Sequence, residues 1–502
     1  MLSGSINTNV NALFALNALS TNANTTSNLE QQLSSGLSIN SPADNPAGYI
    51  ASQGFTAQIA GVTQATSNAN QAISLVQTAD GAITQQVNIL QNIASIANQA
   101  ANGGATSQQL AALQQVVSQL ATQVSTISQQ TNFNGVNLLD GSFQGVNFQV
   151  GATAGATIGL TLASTAASQI GAYQSGGSAA GGSVYVVGGS SSGGVADNTG
   201  HSYAITAAGG GAFTAGNIGV SGSGGNANVN VAAVTSSALA VAQAANAATS
   251  STNVSATADT SIAFNVTAGS ISFTLGNGTG AAQTNAVNIS ATVTAVSQSG
   301  LASLVNAINQ QTGGTGVTAA VNASNQLVLT QSQGDNISIK GFAGTGTLAA
   351  GGSTTVTLAS AGTTSATVQG LVTLQSNQSF GLSAAASNVG LLATSSLSAL
   401  SSINVSTTAG ATAALNVVGY ALQQLESVGA QLGATQQRLQ ATVGNLQTTN
   451  TNLTEARSVV QDANIPQVTT QLTQQEILQQ AGVSALAQSA TLQQSFLKLL
   501  QG

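Results

Sequence analysis

The sequence predicts a mainly α-helical fold with a β-rich insert. Three observations predict it: apolar residues recur every seven positions near both ends, the chain has only 3 prolines, and residues 171–384 are dominated by Gly, Ser, Ala, Thr and Val. A long helix with one narrow apolar stripe is not stable alone. We therefore expect long helices from both ends to pair in a coiled-coil bundle, with one or more β-rich domains inserted between them.

The first helix is predicted from apolar residues that recur at helical spacing from Ile6 onward. The positions that define its apolar stripe include Val10, Leu13, Leu33 and Leu37. Gly36 marks its end. Pro42 and Pro46 follow, and the residue before a proline avoids the α region, so a turn separates this helix from the next.

The second helix carries the heptad seam around which the chain is organised. Counting in sevens from the first apolar residue gives Phe55, Val62, Ala69, Val76, Ile83, Leu90 and Ala97. A companion row four positions on gives Ile59, Thr66, Ile73, Asp80, Val87 and Ala94. In this reading Asp80 lies in the seam, where it either marks a helix irregularity beside Gly81 or fixes the register of the helices.

A third helix and a C-terminal partner complete the predicted bundle. The third helix follows Gly103 and is capped by Thr106 or Ser107. The C-terminal helix keeps an apolar residue at every seventh position: Val418, Leu425, Leu432, Leu439, Leu446, Leu453 and Val460. A terminal helix follows Pro466, with its apolar positions at Ile477, Leu486, Phe496 and Leu500.

Residues 171–384 are predicted to be folded β structure rather than disordered chain. Short β-branched runs such as 183–187 and 228–231 are bounded by Gly or Asn, as strands joined by turns are. Within the insert, a module at 260–342 contains strands at 261–267, 270–275, 317–322 and 326–330 and a helix at 301–311.

Composition excludes several classes of function. Only 3% of residues are charged, and 4 Lys and Arg stand against 11 Asp and Glu, so no basic patch for nucleic acid is available. The chain has no Cys and one histidine, His201, which excludes a typical transition-metal site. We expect no catalysis, no cofactor and no membrane insertion, and the first residues do not form a cleaved secretory signal.

Several segments resemble bacterial flagellin. The N-terminal ones are 5–9 (SINTN), 33–41 (LSSGLSINS), 43–48 (ADNPAG) and 78–82 (TADGA). The C-terminal ones are 432–434 (LGA), 437–439 (QRL) and 452–458 (NLTEARS). Within the insert, 304–309 (LVNAIN) resembles a small module found in many flagellins and hook-associated proteins.

The resemblance implies a subunit that polymerises into the flagellar filament for swimming. It implies extracellular localisation in the bacterial flagellum, with export through the flagellar channel. It also implies that the insert faces outward. The implied partners are other copies of the chain, hook-associated junction and cap proteins, an export chaperone and the export apparatus. The implied segments are a filament-core helix at 1–43, coiled-coil halves at 44–170 and 385–458, the insert at 171–384, and a filament-core helix at 459–502. The alternatives are a hook–filament junction protein and a coiled-coil surface adhesin.

The sequence departs from the flagellin pattern where the family usually carries charge. Ser38 and Asn45 replace charged residues at the first turn. The segment that matches the immune-receptor-facing helix carries Asn92, Ala94, Ser95 and Ile96, so we expect weak recognition by the innate flagellin receptor. The scarcity of charge suggests a filament that tolerates acid, and the alternative explanations are heavy glycosylation or a bias toward Ser, Thr and Asn.

Overall fold

The chain folds into two compact units, described here from a computed structural model. The described residues are 10–176, 182–185, 193–196, 202–206, 216–231, 237–279, 282–322, 324–350, 356–360, 365–383 and 391–501. Unit 1 comprises residues 1–77, 145–161 and 432–502, and unit 2 comprises residues 78–144 and 162–431. His201 and the segment 5–9 lie outside the described residues.

Long helices occupy both ends of the described chain, and short helices lie within the insert. Their bounds are α1 Val10–Ser35, α2 Pro46–Ala101, α3 Ser107–Gln130, α4 Ala238–Ala247, α5 Thr249–Thr252, α6 Gln298–Asn309, α7 Thr312–Thr315, α8 Thr408–Gln461 and α9 Ile465–Gln501. The predicted fold class, long terminal helices around a strand-rich middle region, is confirmed.

The first strands form two small hairpins and the start of the insert. They are β1 Asn132–Phe133, β2 Val136–Asn137, β3 Val146–Gln149, β4 Thr157–Leu160, β5 Gly171–Gly176, β6 Gly182–Tyr185, β7 Gly193–Ala196, β8 Ser202–Thr206, β9 Gly216–Gly222, β10 Gly225–Val231 and β11 Ser255–Val266. The later strands are β12 Gly269–Thr279, β13 Ala282–Val293, β14 Thr318–Val321, β15 Leu327–Gln331, β16 Ile337–Gly344, β17 Leu348–Ala350, β18 Val356–Leu358, β19 Ala366–Val368, β20 Leu371–Ser376, β21 Gly381–Leu382 and β22 Ser396–Ala399.

In the part of the insert that the structure describes, the sheets are antiparallel apart from the pair β6–β8, which is parallel. One sheet runs in the order β14-β15-β11-β20-β5-β22, a second in the order β13-β12-β16-β19-β6-β8-β7, and a third in the order β10-β9-β21. Among the described residues, two hydrophobic cores lie beneath them, one around Phe264 and Phe342 and the other around Val229 and Val241. Extensive burial of this kind agrees with the prediction of folded β structure.

The insert also corrects the sequence prediction in several places. β13 and α4 were not predicted, although β13 pairs with almost the whole of β12. The predicted strand at 261–267 begins earlier, at Ser255, and the predicted helix at 301–311 begins at Gln298 with Ser297 as its N-cap. β13 carries a readable signal that the prediction missed, because Val287, Ile289, Ala291 and Val293 alternate with polar residues and face the core, as in a half-buried strand.

Local signals explain the boundaries of the terminal helices. α1 ends at Ser35 because Gly36 adopts a left-handed conformation, with φ of 73°, and donates its N–H to the carbonyl of Gln32. Pro46 then occupies the first position of α2, where its missing N–H costs nothing. Thr106 caps α3 in a reciprocal arrangement with Gln109, as one of the two predicted caps.

Candidate functional site

The two terminal helices of unit 1 pack along each other but leave large apolar side chains in water. Leu19 on α1 lies against Gly482 on α9, where an added Cβ would approach within 3.6 Å. On these helices the exposed apolar residues are Val10, Leu13, Phe14, Leu16, Leu33, Ile465, Ile477, Leu478 and Val483. Phe14 is 69% exposed and Ile477 is 62% exposed. The pair therefore presents an apolar surface that its own chain does not cover.

The predicted residues of the terminal helices lie on this surface or at its edge. Val10, Leu13, Leu33 and Ile477 are exposed, whereas Leu37 and Leu486 are half-buried. The side chains of Phe496 and Leu500 lie outside the described part of the chain. Leu29 is the buried residue of α1. The stripe is thus mostly uncovered, although its spacing was correct for a helix.

Main-chain hydrogen bonds join the turn after α1 to the end of α8. Ser38 donates its N–H to the carbonyl of Gln461 at 2.7 Å, and Ala463 donates its N–H to the carbonyl of Gly36 at 2.9 Å. The Ser38 hydroxyl adds a second bond to Gln461, at 3.1 Å. Serine in place of the expected charge therefore makes a neutral contact that closes the N-terminal turn onto the C-terminal helices.

Uncharged capping groups and one carboxylate hold the rest of this turn. The Asn45 side chain accepts the N–H of Gly48 at 3.0 Å and so caps the start of α2. The Asp44 carboxylate accepts the N–H groups of Ser41 and Asn40 at 2.7 and 2.9 Å. Because these bonds favour the ionised form, the bond from Ser41 foremost, they lower the pKa of Asp44.

The first heptad row of α2 is buried. Phe55 at its start is half-buried. The later positions of the row are at most 3% exposed: Val62, Ala69, Val76, Ile83, Leu90 and Ala97. The side chains of this row are therefore covered by other parts of the chain. One such contact is made by the neighbouring Asn68, whose side chain donates to the Gln149 carbonyl of β3 at 3.0 Å.

The predicted companion row was wrong. Asp80 is exposed, and Ile59, Thr66, Ile73, Val87 and Ala94 are only half-buried. The buried companions lie one position earlier: Ala65, Ala72, Ala79, Gln86, Ile93 and Ala100. Both rows satisfy a seven-residue period, but the small alanine side chains let the neighbouring helices approach on that side. A search for large apolar residues favours the wrong row, and counting three positions on from Val62 would have found the right one.

Gln86 is therefore the polar residue of the seam on α2. It is fully buried, and its side-chain N–H donates to the carbonyls of Val124 at 3.0 Å and Thr165 at 3.4 Å. These bonds tie α2 to α3 and to the segment that leads into the insert. A shift of α2 along its axis would break both bonds, whereas Asp80, the polar seam residue expected from the sequence, is exposed.

The C-terminal heptad row on α8 is buried along most of its length. Val418, Leu425, Leu432 and Leu439 are fully buried, Leu446 is 9% exposed, and Leu453 and Val460 are half-buried. In unit 1, Leu446 joins Val62 and Ala65 in a small hydrophobic cluster with Leu453 against it. Beside this cluster, the Asn450 side chain donates to the Thr63 hydroxyl at 3.0 Å. These contacts bring residues nearly four hundred positions apart together.

The predicted receptor-facing segment lies on α2. Asn92 and Ser95 are exposed, Ala94 and Ile96 are half-buried, and Ile93 between them is fully buried. The exposed part of this segment carries amide and hydroxyl groups and no charge.

Among the described residues, no helix is both long enough and apolar enough to span a membrane.

Three family models match the chain. They are the bacterial flagellin N-terminal helical region over residues 6–144, the bacterial flagellin C-terminal helical region over 415–500, and the flagellin hook IN motif over 261–333. Among curated relatives, a B-type flagellin of Pseudomonas aeruginosa is 34% identical over 99% of both chains. Flagellin B of Vibrio cholerae is 27% identical, again over 99% of both.

Solved structures of related proteins also match. FliC from Burkholderia pseudomallei is 21% identical, with a TM-score of 0.29, and the match covers 73% of this chain and 99% of that one. The flagellar junction protein FlgL from Legionella pneumophila is 12% identical, with a TM-score of 0.34, over 83% and 100% of the two chains.

Proposed function

Because this chain belongs to the bacterial flagellin family and is a structural subunit that polymerises into the flagellar filament, we propose that the exposed apolar stripes of α1 and α9 are the surfaces through which it assembles. The observation that carries this proposal is the exposure of residues such as Leu13, Phe14 and Ile477 on paired helices. Each would be covered by the same stripes of neighbouring subunits.

Leaving these stripes in water makes an isolated subunit less stable than an assembled one. Covering apolar surface is favourable by about 25 cal/mol per Å², and single helices with polar faces gain most of their stability from such packing. α1 has one buried residue, Leu29, over its 26 residues. Assembly would therefore supply most of the burial that orders this helix, as in a segment that folds on binding.

The finer organisation follows the same proposal. Residues 1–43 and 459–502 form the filament-core helices, 44–170 and 385–458 form a coiled-coil layer, and 171–384 form an outward insert. The subunit is exported through the flagellar channel and functions outside the cell. Its partners are other copies of itself, hook-associated junction and cap proteins, an export chaperone and the export apparatus. A junction protein or an adhesin is less well supported, since full-length relatives are named flagellins.

A pair of single substitutions tests the assembly surface. Phe14→Ser removes a large exposed side chain of α1, and Asn11→Ser makes a polar change one turn away. We expect Phe14→Ser to raise the critical concentration for polymerisation about tenfold or more and Asn11→Ser to leave it unchanged, as measured by sedimentation and electron microscopy. Normal assembly by the Phe14 variant would contradict the proposal.

Deletions test the division into assembling and non-assembling parts. Removing residues 467–502 should leave soluble monomer, because α1 loses its partner helix. Removing residues 175–380 should spare polymerisation, because the insert has cores of its own. Normal filaments from the first variant would show that α9 is not an assembly element.

We also propose that the filament tolerates acid. With its carboxylates protonated the chain would carry only about five positive side chains, from 4 Lys and Arg and 1 His. Acid unfolds proteins mainly by protonating paired carboxylates and by charge repulsion. Lowered pKa values are found for Asp44 and Asp140, each from hydrogen bonds within its own turn. Protonation of these two carboxyls would weaken hydrogen bonds within two turns, whereas repulsion among about five positive charges would be small.

A further inference from the structure

The insert repeats one order of elements. In the region of the matched IN motif, hairpin β12–β13 leads to helix α6, the single turn α7, the pair β14–β15 and strand β16, which returns to β12. Around it, hairpin β9–β10 leads to helix α4, the single turn α5, the pair β11–β20 and strand β21, which returns to β9. Each series covers its own hydrophobic core.

The two helix-to-strand junctions share an asparagine clamp. The Asn246 side chain donates to the Ala256 carbonyl at 2.9 Å and accepts the Ala256 N–H at 2.7 Å. The Asn309 side chain makes the same two bonds to Ala319, at 2.9 and 2.7 Å. From Asn246 to Asn309, and from Ala256 to Ala319, the shift is 63 positions.

The single turns α5 and α7 repeat at the same shift. The Thr249 hydroxyl donates to the Val254 carbonyl at 2.9 Å, and the Thr312 hydroxyl donates to the Val317 carbonyl at 2.9 Å. Each turn ends in a left-handed residue, Asn253 with φ of 57° or Gly316 with φ of 67°. Helices commonly end in a left-handed residue, but here that residue, the threonine hydroxyl bond and the length of the turn recur together at one shift.

The buried residues correspond as well. At the same shift the buried pairs, each below 7% exposed, are Val241 and Leu304, Ala245 and Ile308, Thr252 and Thr315, Val254 and Val317, and Ala256 and Ala319. The outer series uses smaller side chains on its helix. That difference weakens the helical periodicity of the apolar residues in α4, which explains why the sequence predicted only the inner helix.

We infer that residues 216–382 contain two nested copies of the IN fold, the matched copy being inserted into a hairpin turn of an outer copy. In the inner copy a short turn joins β14 to β15, closed by the bond from the Asn322 N–H to the Gln326 carbonyl. In the outer copy the equivalent strands pair up to Asp259 opposite Leu371. Residues 260–370 stand in place of that turn.

The neck between the copies is narrow. A Cβ on Gly370 would lie 2.2 Å from the Thr260 hydroxyl and 2.5 Å from the Asp259 carbonyl. The chain therefore leaves and re-enters the outer copy at adjacent positions, as the two ends of a hairpin turn do. A whole domain can occupy such a site without separating the strands on which the outer copy depends.

Replacing the inner copy by a turn tests the nesting. In the full chain, residues 260–370 are replaced by the sequence of residues 322–326, the turn of the inner copy. Amide hydrogen-exchange rates in β9, β10 and α4 should stay within about threefold of those of the parent chain, because the hydrophobic core of the outer copy is complete without the inner copy. A general loss of protection in these elements would overturn the inference.

Point variants decide the matter independently of whether that junction folds. Asn246→Ala removes the clamp of the outer copy and Asn309→Ala that of the inner copy, while Asn230→Ala changes an exposed asparagine. We expect exchange about tenfold faster or more within the copy that loses its clamp, and no change in the other copy or in the control. Acceleration of both copies to the same extent by Asn309→Ala would show one domain rather than two.

Discussion

The corrected seam of α2 makes a sharp prediction, since of two isoleucines three positions apart one lies in the buried row and the other lies outside it. Ile93 is fully buried, whereas Ile96 is half-buried. Truncating a fully buried isoleucine to alanine costs about 2 to 5 kcal/mol, through lost transfer energy and the cavity left behind. At the half-buried position the surroundings can relax and water can enter, so the cost should be about 1 kcal/mol.

Hydrogen exchange of monomeric protein is the suitable assay, because a chain with two compact units need not unfold in one step. Ile93→Ala should speed exchange of the amides in residues 78–101 by at least about thirtyfold, since each 1.4 kcal/mol is a factor of ten. Ile96→Ala should speed it less than tenfold. Equal effects, or a larger effect of Ile96→Ala, would refute the assignment of the seam.

Three further predictions follow from charge. A reporter-cell assay should show a much weaker innate-receptor response than to an ordinary flagellin, because Asn92 and Ser95 cannot supply charge-assisted hydrogen bonds worth about 1.5 to 3 kcal/mol each; an equal response would contradict this. Purified filaments held at about pH 2 to 3, below ordinary carboxylate pKa values, should outlast those of a flagellin of ordinary charge content imaged alongside, and earlier depolymerisation would exclude acid tolerance. Asp44→Asn should speed exchange of the Asn40 and Ser41 amides at neutral pH. The difference in exchange rate from the parent chain should shrink as pH falls from about 4 through the lowered pKa of Asp44, because the parent carboxylate then becomes protonated. A difference that persists in acid would show that the geometry of the side chain, and not its charge, is responsible.

The long helices could be read from the sequence because their signals are local. A seven-residue period, Gly36 and the two prolines suffice to place α1, the start of α2 and the row that includes Val62. The companion row could not be read in this way, since the choice between Ala79 and Asp80 depends on which side the neighbouring helices approach. The sequence indicated that a polar residue lies in the seam. It did not identify Gln86, because the partners of Gln86 are main-chain carbonyls, which any residue type supplies.

The insert was harder to predict because its organisation is not local. β11 pairs with β20, more than a hundred residues later. The order of strands along the sequence does not show that residues 260–370 occupy the place of a turn between two paired strands. The clamp residues Asn246 and Asn309 carry a readable signal, an asparagine near a helix end followed three positions later by threonine, but it gains meaning only when the bonds are seen to repeat.

The junction between the turn after α1 and the end of α8 has a consequence for how freely this protein can change. Two of its bonds join backbone groups, from Ser38 to Gln461 and from Ala463 to Gly36. Such bonds are indifferent to the side chains attached, provided the backbone keeps its path. Charged side chains can therefore be gained or lost in this region while the hydrogen bonds between the N-terminal turn and the C-terminal helices are kept. The surface charge of the subunit can thus change with its environment without loss of this junction.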